Sequence, residues 1–259
     1  MEGSTIIGAP IEAHPHLRSL LADPLEPAFM CEEEGEGRRL FKIRTASSSG
    51  ERSSASILIK RMYATRGYNA PALPAFQQSN VVTLMATEGD VTIGTLSVGF
   101  DSPYGLLADD LFREEIDELR MCGRRVCEFT KLAMDQVVKS KRVLAYLFHT
   151  AYIWAHRLRG YDDLLIEVNP RHVRYYEKML GFTVMGPERL NGRVNAPAVL
   201  LRLNLDDAQA QIAMFGGKPN LAATERSLYP YFFSIQQEAG IVGRMRWTQA
   251  EQGAERVAA

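Results

Sequence analysis

Glu167-Val-Asn-Pro-Arg-His-Val-Arg-Tyr-Tyr-Glu-Lys-Met-Leu-Gly-Phe182 reads as the end of a strand, a break, and a short helix that stops on a glycine. The run Leu164-Leu-Ile-Glu-Val168 is continuously apolar apart from its glutamate, the mark of a strand covered on both faces, and Asn169-Pro170 ends it. Val173, Tyr176, Met179 and Leu180 then recur at helical spacing. Gly181 supplies the left-handed residue that lets the chain turn into a next strand at Phe182.

Outward from this unit the pattern repeats. Ser140 to Arg159 is apolar over most of its circumference, which predicts a well-buried helix, and Arg125-Val-Cys-Glu-Phe-Thr-Lys-Leu-Ala-Met134 before it predicts a strand. Between Pro103 and Arg120 the residues Leu107, Leu111, Ile116 and Leu119 form an apolar stripe on a charged helix, as in an inserted lid or side helix. The β-branched runs Val81 to Ala86 and Val91 to Val98 flank Glu88-Gly-Asp90, a hairpin signal. Arg39 to Thr45 alternates as a first strand, and Ser47-Ser-Ser-Gly50 breaks the chain. Ser53, Ser54 and Ser56 precede a helix from Ile57 to Arg66 that stops at Gly67. Downstream, Ala198 to Leu203 is a closing strand and Asp206 to Phe215 a helix. After Gly216-Gly-Lys-Pro219 a second helix, Glu225 to Ala239, carries Tyr229, Tyr231, Phe232 and Phe233.

This order predicts an α/β fold with a mixed, mostly antiparallel sheet flanked by helices, and extra helices at the C-terminus. Residues 1–37, with Pro10, Pro15, Pro24, Pro27 and the acidic run Glu32 to Glu36, read as an N-terminal arm outside the core. Residues 38–205 read as one α/β domain, and 206–259 as a helical extension packed on it.

With 259 residues, 46% of them hydrophobic and 24% charged, the chain can bury a full core. A net charge of −1 gives no global attraction to nucleic acid or to an anionic membrane, so an electrostatic partner has to be met by a local patch. Cys31, Cys122 and Cys127 are odd in number and lack CxxC spacing, which suits free thiols in a reducing compartment. The start carries no secretory pattern, and the longest apolar stretch, Val143 to Ala155, is interrupted by His149 and short of the ~20 residues that span a bilayer. A cytoplasmic protein is expected, with contact to a membrane surface left open.

Three segments together resemble the long-chain N-acyl amino acid synthases, a family of the GNAT acyltransferase type related to the acyl-homoserine-lactone synthases. They are Ile59-Lys-Arg-Met-Tyr-Ala-Thr-Arg-Gly-Tyr68, Gly105-Leu-Leu-Ala-Asp-Asp-Leu-Phe112 running into Arg124-Arg-Val-Cys-Glu-Phe-Thr-Lys-Leu-Ala133, and Asn169 to Phe182. The resemblance implies a GNAT-like sheet and transfer of a long-chain acyl group, held as a thioester on the phosphopantetheine of acyl carrier protein, to the α-amine of a free amino acid. No further cofactor and no metal is implied. Acetyl-CoA-dependent GNAT enzymes hold a pyrophosphate on a glycine-containing loop at a helix N-terminus. Here the matching segment, Asp135-Gln-Val-Val-Lys-Ser-Lys-Arg142, has no glycine. Lys139, Lys141 and Arg142 offer charge for the single phosphate of a carrier-borne arm, for an acidic carrier protein, or simply for solvent.

Aminolysis of a thioester needs an unprotonated amine and a donor for the tetrahedral oxyanion. Glu128 is the candidate base, since the resemblance implies a glutamate in this strand; a salt bridge to Arg124 or Lys131 is the structural alternative. The oxyanion would be met where the strand splays or bulges. Tyr176 stands where GNAT enzymes often place an acid for the leaving thiol, and a core aromatic is its other reading. Tyr63, Arg66 and Tyr68 close the first helix where related families build part of the pocket. Arg66, Arg120, Arg124 and Arg202 all qualify as the fork for a substrate carboxylate. His149 and His156 share a helical face without a third ligand and read as core histidines; His172 either orients substrate or caps a helix. Two further readings stay open: an acyl-CoA-dependent enzyme acting on another amine, and a non-catalytic protein that binds a carrier protein or lipid.

Overall fold

The computed structural model describes residues 5–11, 39–69, 72–76, 78–136 and 140–258. Among them nine strands form a mixed sheet, β1 (Thr5–Pro10), β2 (Leu40–Thr45), β3 (Val81–Glu88), β4 (Val91–Phe100), β5 (Val126–Met134), β6 (Asp163–Val168), β7 (Thr183–Val184), β8 (Arg189–Asn191) and β9 (Ala196–Asn204). They lie in the order β1-β2-β3-β4-β5-β6-β9-β7, with β8 hairpinned onto β9. Every pairing is antiparallel except β5 with β6, which is parallel. The mixed, mostly antiparallel sheet with helices on both faces that the sequence predicts is therefore present.

The faces differ. On one, α3 (Lys141–Tyr152) packs its nearly all-round apolar surface against the sheet, continuing into a π-helical turn at Ile153–Arg157. Phe41, Leu84, Leu96, Val98, Cys127, Phe129, Ile166 and Leu201 meet it there, and α4 (Val173–Leu180) and α5 (Leu205–Phe215) border the same core. On the other face α1 (Ser49–Ala64) buries Ala55, Leu58, Ile59 and Met62 around Ala133. Beside it α2 (Asp109–Met121) buries Phe112, Ile116 and Leu119 against Val126, Leu165 and Leu200. Residue parity along β5 and β6 thus assigns Glu128 and Glu167 to the α1/α2 face.

Three departures from the sequence reading have local causes. Helix α1 begins at Ser49, not near Ile57, because Ser48 and Glu51 close a capping box: the Glu51 amide donates to Ser48 Oγ at 3.2 Å and the Ser48 amide to Glu51 Oε2 at 2.9 Å. The second C-terminal helix is α6 (Ile235–Ala258), later than Glu225–Ala239; Pro230 sits in a single 3₁₀ turn, and Ser234 with Gln237 caps the true start. Part of the stretch read as an arm, Thr5–Pro10, is the edge strand β1, with Ile7 and Ala9 buried in the α3-side core. Cys31 and the acidic run lie outside the described residues.

The tail packs onto α3 through a buried polar group. His149 is fully buried, its Nδ1 accepts from the Phe233 amide at 2.9 Å, and its Nε2 lies 3.1 Å from Glu238 Oε2. The amide fixes the tautomer, so Nε2–H donates to Glu238, which also pairs with Arg157 at 2.8 Å. This is the core role read for His149. His156 joins Tyr161 and Gln209 on the same side. No described helix is long and apolar enough to cross a membrane.

Candidate active site

The parallel pairing of β5 with β6 ends at Glu128 opposite Leu165, although both strands continue. Beyond that point they diverge, and a cavity of about 710 Å³ occupies the opening, within the roughly 300–1,000 Å³ usual for small-molecule sites. Consecutive residues of both strands line it, Phe129 to Leu132 and Ile166 to Asn169. Neighbours along a strand point to opposite faces, so the cavity meets both strands edge-on, where their main-chain groups are accessible. Its apolar floor is the α3-side core: Leu96, Phe129, Met134, Phe148, Ile166 and Val168.

Strand β5 is bulged within this wall. Thr130 opposes Ser97 and Ala133 opposes Thr95, so β5 carries one residue more than its partner, and Lys131 has φ 53°. Thr95 Oγ1 pins the distortion by donating to the Lys131 carbonyl at 2.9 Å. Glu128 and Met134 are therefore not in simple alternation, as a regular strand would have made them. A bulge on an unpaired edge presents backbone N–H groups to a bound carbonyl, the geometry that oxyanion stabilisation requires.

Glu128 does not line the cavity. It is 4% exposed, its Oε1 accepts from the Leu107 amide at 2.8 Å and its Oε2 from the Ala108 amide at 3.0 Å, so it anchors the loop ahead of α2. Arg124 pairs with Asp163 and not with Glu128. Burial pushes Glu128 up to about 7 against those two amides. Gly99 beside it leaves the room, since a Cβ there would fall 2.9 Å from the Glu128 side chain. Glu128→Ala would leave two buried N–H groups unpaired, and we expect a loss of roughly 2–5 kcal/mol in urea unfolding with faster hydrogen exchange at Leu107 and Ala108. Unchanged exchange there would contradict the anchoring role.

The carboxylate that does line the cavity is Glu167, one strand over and on the same face. The sequence reading passed over it as a strand residue. Arg193 from the β8–β9 hairpin pairs with Glu167 Oε2 and Asn191 Nδ2 donates to Oε1 at 3.3 Å. Burial raises the Glu167 pKa above the usual carboxylate range even though Arg193 opposes the shift. Arg193 also donates to the Leu107 carbonyl at 2.7 Å and reaches Asp110 at 2.5 Å, so the loop anchored below by Glu128 is clamped above by the hairpin.

Tyr63, Arg66, Tyr68 and Tyr176 all line the cavity together. Gly67, at φ 71°, reverses the chain after α1, with the Tyr68 amide donating back to the Tyr63 carbonyl at 3.0 Å. Arg52, buried in α1, donates to the Pro74 carbonyl at 2.6 Å and the Ala46 carbonyl at 3.1 Å and ties this connection to the sheet. The Tyr68 hydroxyl accepts from Asn169 Nδ2 at 3.2 Å and Arg171 Nη2 at 3.5 Å. Burial pushes Tyr63 up to about 12 and raises Tyr176 well above the usual phenol range. Tyr176 therefore keeps its proton, and toward a thiolate it is a hydrogen-bond donor more than an acid. His172, also on the cavity wall, is brought down to about 4 by burial and by Arg171 and Arg66, so its ring is neutral and accepts from Arg171 Nε at 3.3 Å.

The basic residues expected at the α3 start stand elsewhere. Lys141 lies over the Tyr231 ring at 6.0 Å, and Arg142 donates to Tyr146 Oη at 3.2 Å, facing a separate groove shared with β1 and Arg244. Lys139 is outside the described residues. Ser140 caps α3 by accepting from the Val143 amide at 3.3 Å. Cys127 is buried on the opposite face from Glu128, with burial raising its thiol pKa. Among the described residues no group of three or more His, Cys, Asp or Glu is placed to hold a metal.

A family model described as N-acyl amino acid synthase FeeM matches residues 54–204. Among solved structures, that of FeeM, an N-acyl amino acid synthase from uncultured soil microbes, shares 28% identity at a TM-score of 0.59, over 66% of this chain and 93% of its own. A putative N-acetyltransferase from Lactobacillus plantarum shares 19% at 0.46, over 64% and 98% of the two chains. The AHL synthase LasI shares 11% at 0.45, over 64% and 90%. No curated protein matches the chain in sequence.

Proposed function

The chain belongs to the N-acyl amino acid synthase FeeM family and is an N-acyltransferase, and from that premise we propose that it joins a long-chain acyl group, delivered as a thioester on acyl carrier protein, to the α-amine of a free amino acid. The observation that supports this reading is the cavity in the β5–β6 opening, with an apolar floor for a chain, a bulged strand edge for a carbonyl and the Glu167 carboxylate for an amine.

In this reading the thioester carbonyl rests against the β5 edge at Lys131, where backbone N–H groups take the negative charge of the tetrahedral intermediate. Glu167, in place of Glu128, removes the proton that the amine loses as its nitrogen bonds to the carbonyl carbon, directly or through water. The C–S bond breaks, and the leaving thiolate, of pKa near ~8.5, is stabilised by the Tyr176 hydroxyl until it takes up a proton. Glu128 holds the loop and Arg193 the orientation of Glu167.

The test is to incubate purified protein with dodecanoyl-acyl carrier protein or dodecanoyl-CoA and a mixture of amino acids, then look for N-acyl amino acids by mass spectrometry. Product from the carrier-borne donor and little from CoA is expected. Equal use of CoA would favour the acyl-CoA reading, which the missing glycine loop at the α3 start argues against. Product from neither would favour a binding protein. If the basic α3 start docks the acidic carrier, the double variant Lys141→Glu/Arg142→Glu should raise KM for carrier-borne donor about tenfold at low salt and leave acyl-pantetheine unaffected.

A further inference from the structure

We propose that Arg66, with Arg171 beside it, binds the carboxylate of the acceptor, so that the enzyme acylates amines bearing a free carboxylate and discriminates against the matching carboxamides. This rests on the reading that acyl transfer takes place in this cavity. Sequence left Arg66, Arg120, Arg124 and Arg202 equal as forks, and the structure separates them. Arg120 is held by Asp101 and Asp109 at 2.8 Å and by Asp117 at 2.7 Å, while Arg124 and Arg202 both pair with Asp163 at 2.5 and 2.9 Å. None of these three lines the cavity, and Arg193, which does, is already committed to Glu167.

Arg66 differs. Its Nη2 is shut off from solvent and has no hydrogen-bond partner among the described residues, and no carboxylate there pairs with it. The groups that its charge feels are Arg171 and the hydroxyls of Tyr63, Tyr68 and Tyr176. A partly buried guanidinium beside a second guanidinium and without a counter-ion is costly, and an anion brought by a ligand removes that cost. Arg66 lines the cavity, so its charge faces whatever anion is bound there, and a guanidinium is the side chain best suited to a carboxylate. The placement also suits one small molecule: Arg66 and Glu167 line the same cavity, and Asn169, two residues beyond Glu167, is tied to Tyr68, two residues beyond Arg66. An amine at Glu167 and a carboxylate at Arg66 would then share one cavity wall.

The experiment compares an amino acid with its carboxamide as acceptor, using wild type, Arg66→Gln and the exposed-site variant Arg171→Gln, with dodecanoyl-acyl carrier protein as donor. Wild type should prefer the free acid, and Arg66→Gln should lower kcat/KM for the acid about 10- to 100-fold while changing the amide little, so that the preference collapses. Arg171→Gln should give a smaller fall in the same sense, which keeps the test open if Arg66→Gln does not fold. Equal falls on acid and amide would reduce Arg66 to a structural residue. A raised KM for the donor with acceptor preference intact would reassign the anion to the donor's phosphate. Wild type that acylates neither acceptor would overturn the acyl-transfer reading itself, a result distinct from both.

Discussion

Glu167→Gln is expected to lower kcat by about 10²–10⁴-fold with little change in KM for either substrate, the range that loss of a positioned general base produces. The substitution is nearly isosteric, and glutamine keeps one oxygen for Arg193, which the Leu107 carbonyl and Asp110 also hold, so the hairpin clamp over the cavity should stand. What it removes is the only chemistry proposed for this residue, acceptance of the amine proton. The pH profile gives an independent reading. Glu167 has to be ionised to act, and burial raises its pKa above the ordinary carboxylate range. Wild-type activity should therefore fall as pH drops through that raised value, at a higher pH than an exposed carboxylate would give, and the variant should lose this acidic limb. A Glu167→Gln enzyme with wild-type kcat and an unaltered limb would return the role to Glu128 or to water.

The contrast between Glu167, which lines the cavity, and Glu128, which anchors a loop, shows what sequence can carry. Both are carboxylates within apolar runs, and β5 and β6 were legible as strands because those runs are local. The Gly181 helix stop was legible for the same reason, and its φ of 80° is the left-handed turn read from the glycine. The role of each carboxylate is decided by distant chain. Glu128 is occupied by amides 20 and 21 residues away. Glu167 meets Arg193 and Asn191 from a hairpin, 26 and 24 residues on, that carried no strong strand signal. The bulge was equally invisible, since a lysine at positive φ has no marker in a run that otherwise looks like a regular strand. Tyr63, Arg66, Tyr68 and Tyr176 could be proposed because they occupy segments where a resemblance was local, and they do converge on one cavity. Lys141 and Arg142 were proposed on charge and position alone, and neither lines it: Lys141 lies over Tyr231 and Arg142 borders the groove beside β1.

The second large effect concerns the donor chain and needs no substitution. A cavity floored by Leu96, Phe129, Met134, Phe148, Ile166 and Val168 stabilises an acyl chain by burial alone, at about 0.8 kcal/mol per CH₂, which is roughly a fourfold gain for each methylene. These contacts lie away from the reacting carbon and are equal in ground and transition states, so the gain should appear in KM and kcat/KM, with kcat nearly constant. From a hexanoyl to a dodecanoyl thioester the expected rise in kcat/KM is then on the order of 10³-fold, levelling off once the chain fills the floor. Water already displaced from an apolar cavity, or methylenes that stay outside it, would shorten the ladder without removing its slope. A flat response from six to twelve carbons would mean that the floor is core and not a chain site, and the acyl group would then have to leave the β5–β6 opening on its polar side, past Glu167 and Arg193, where each methylene gains nothing.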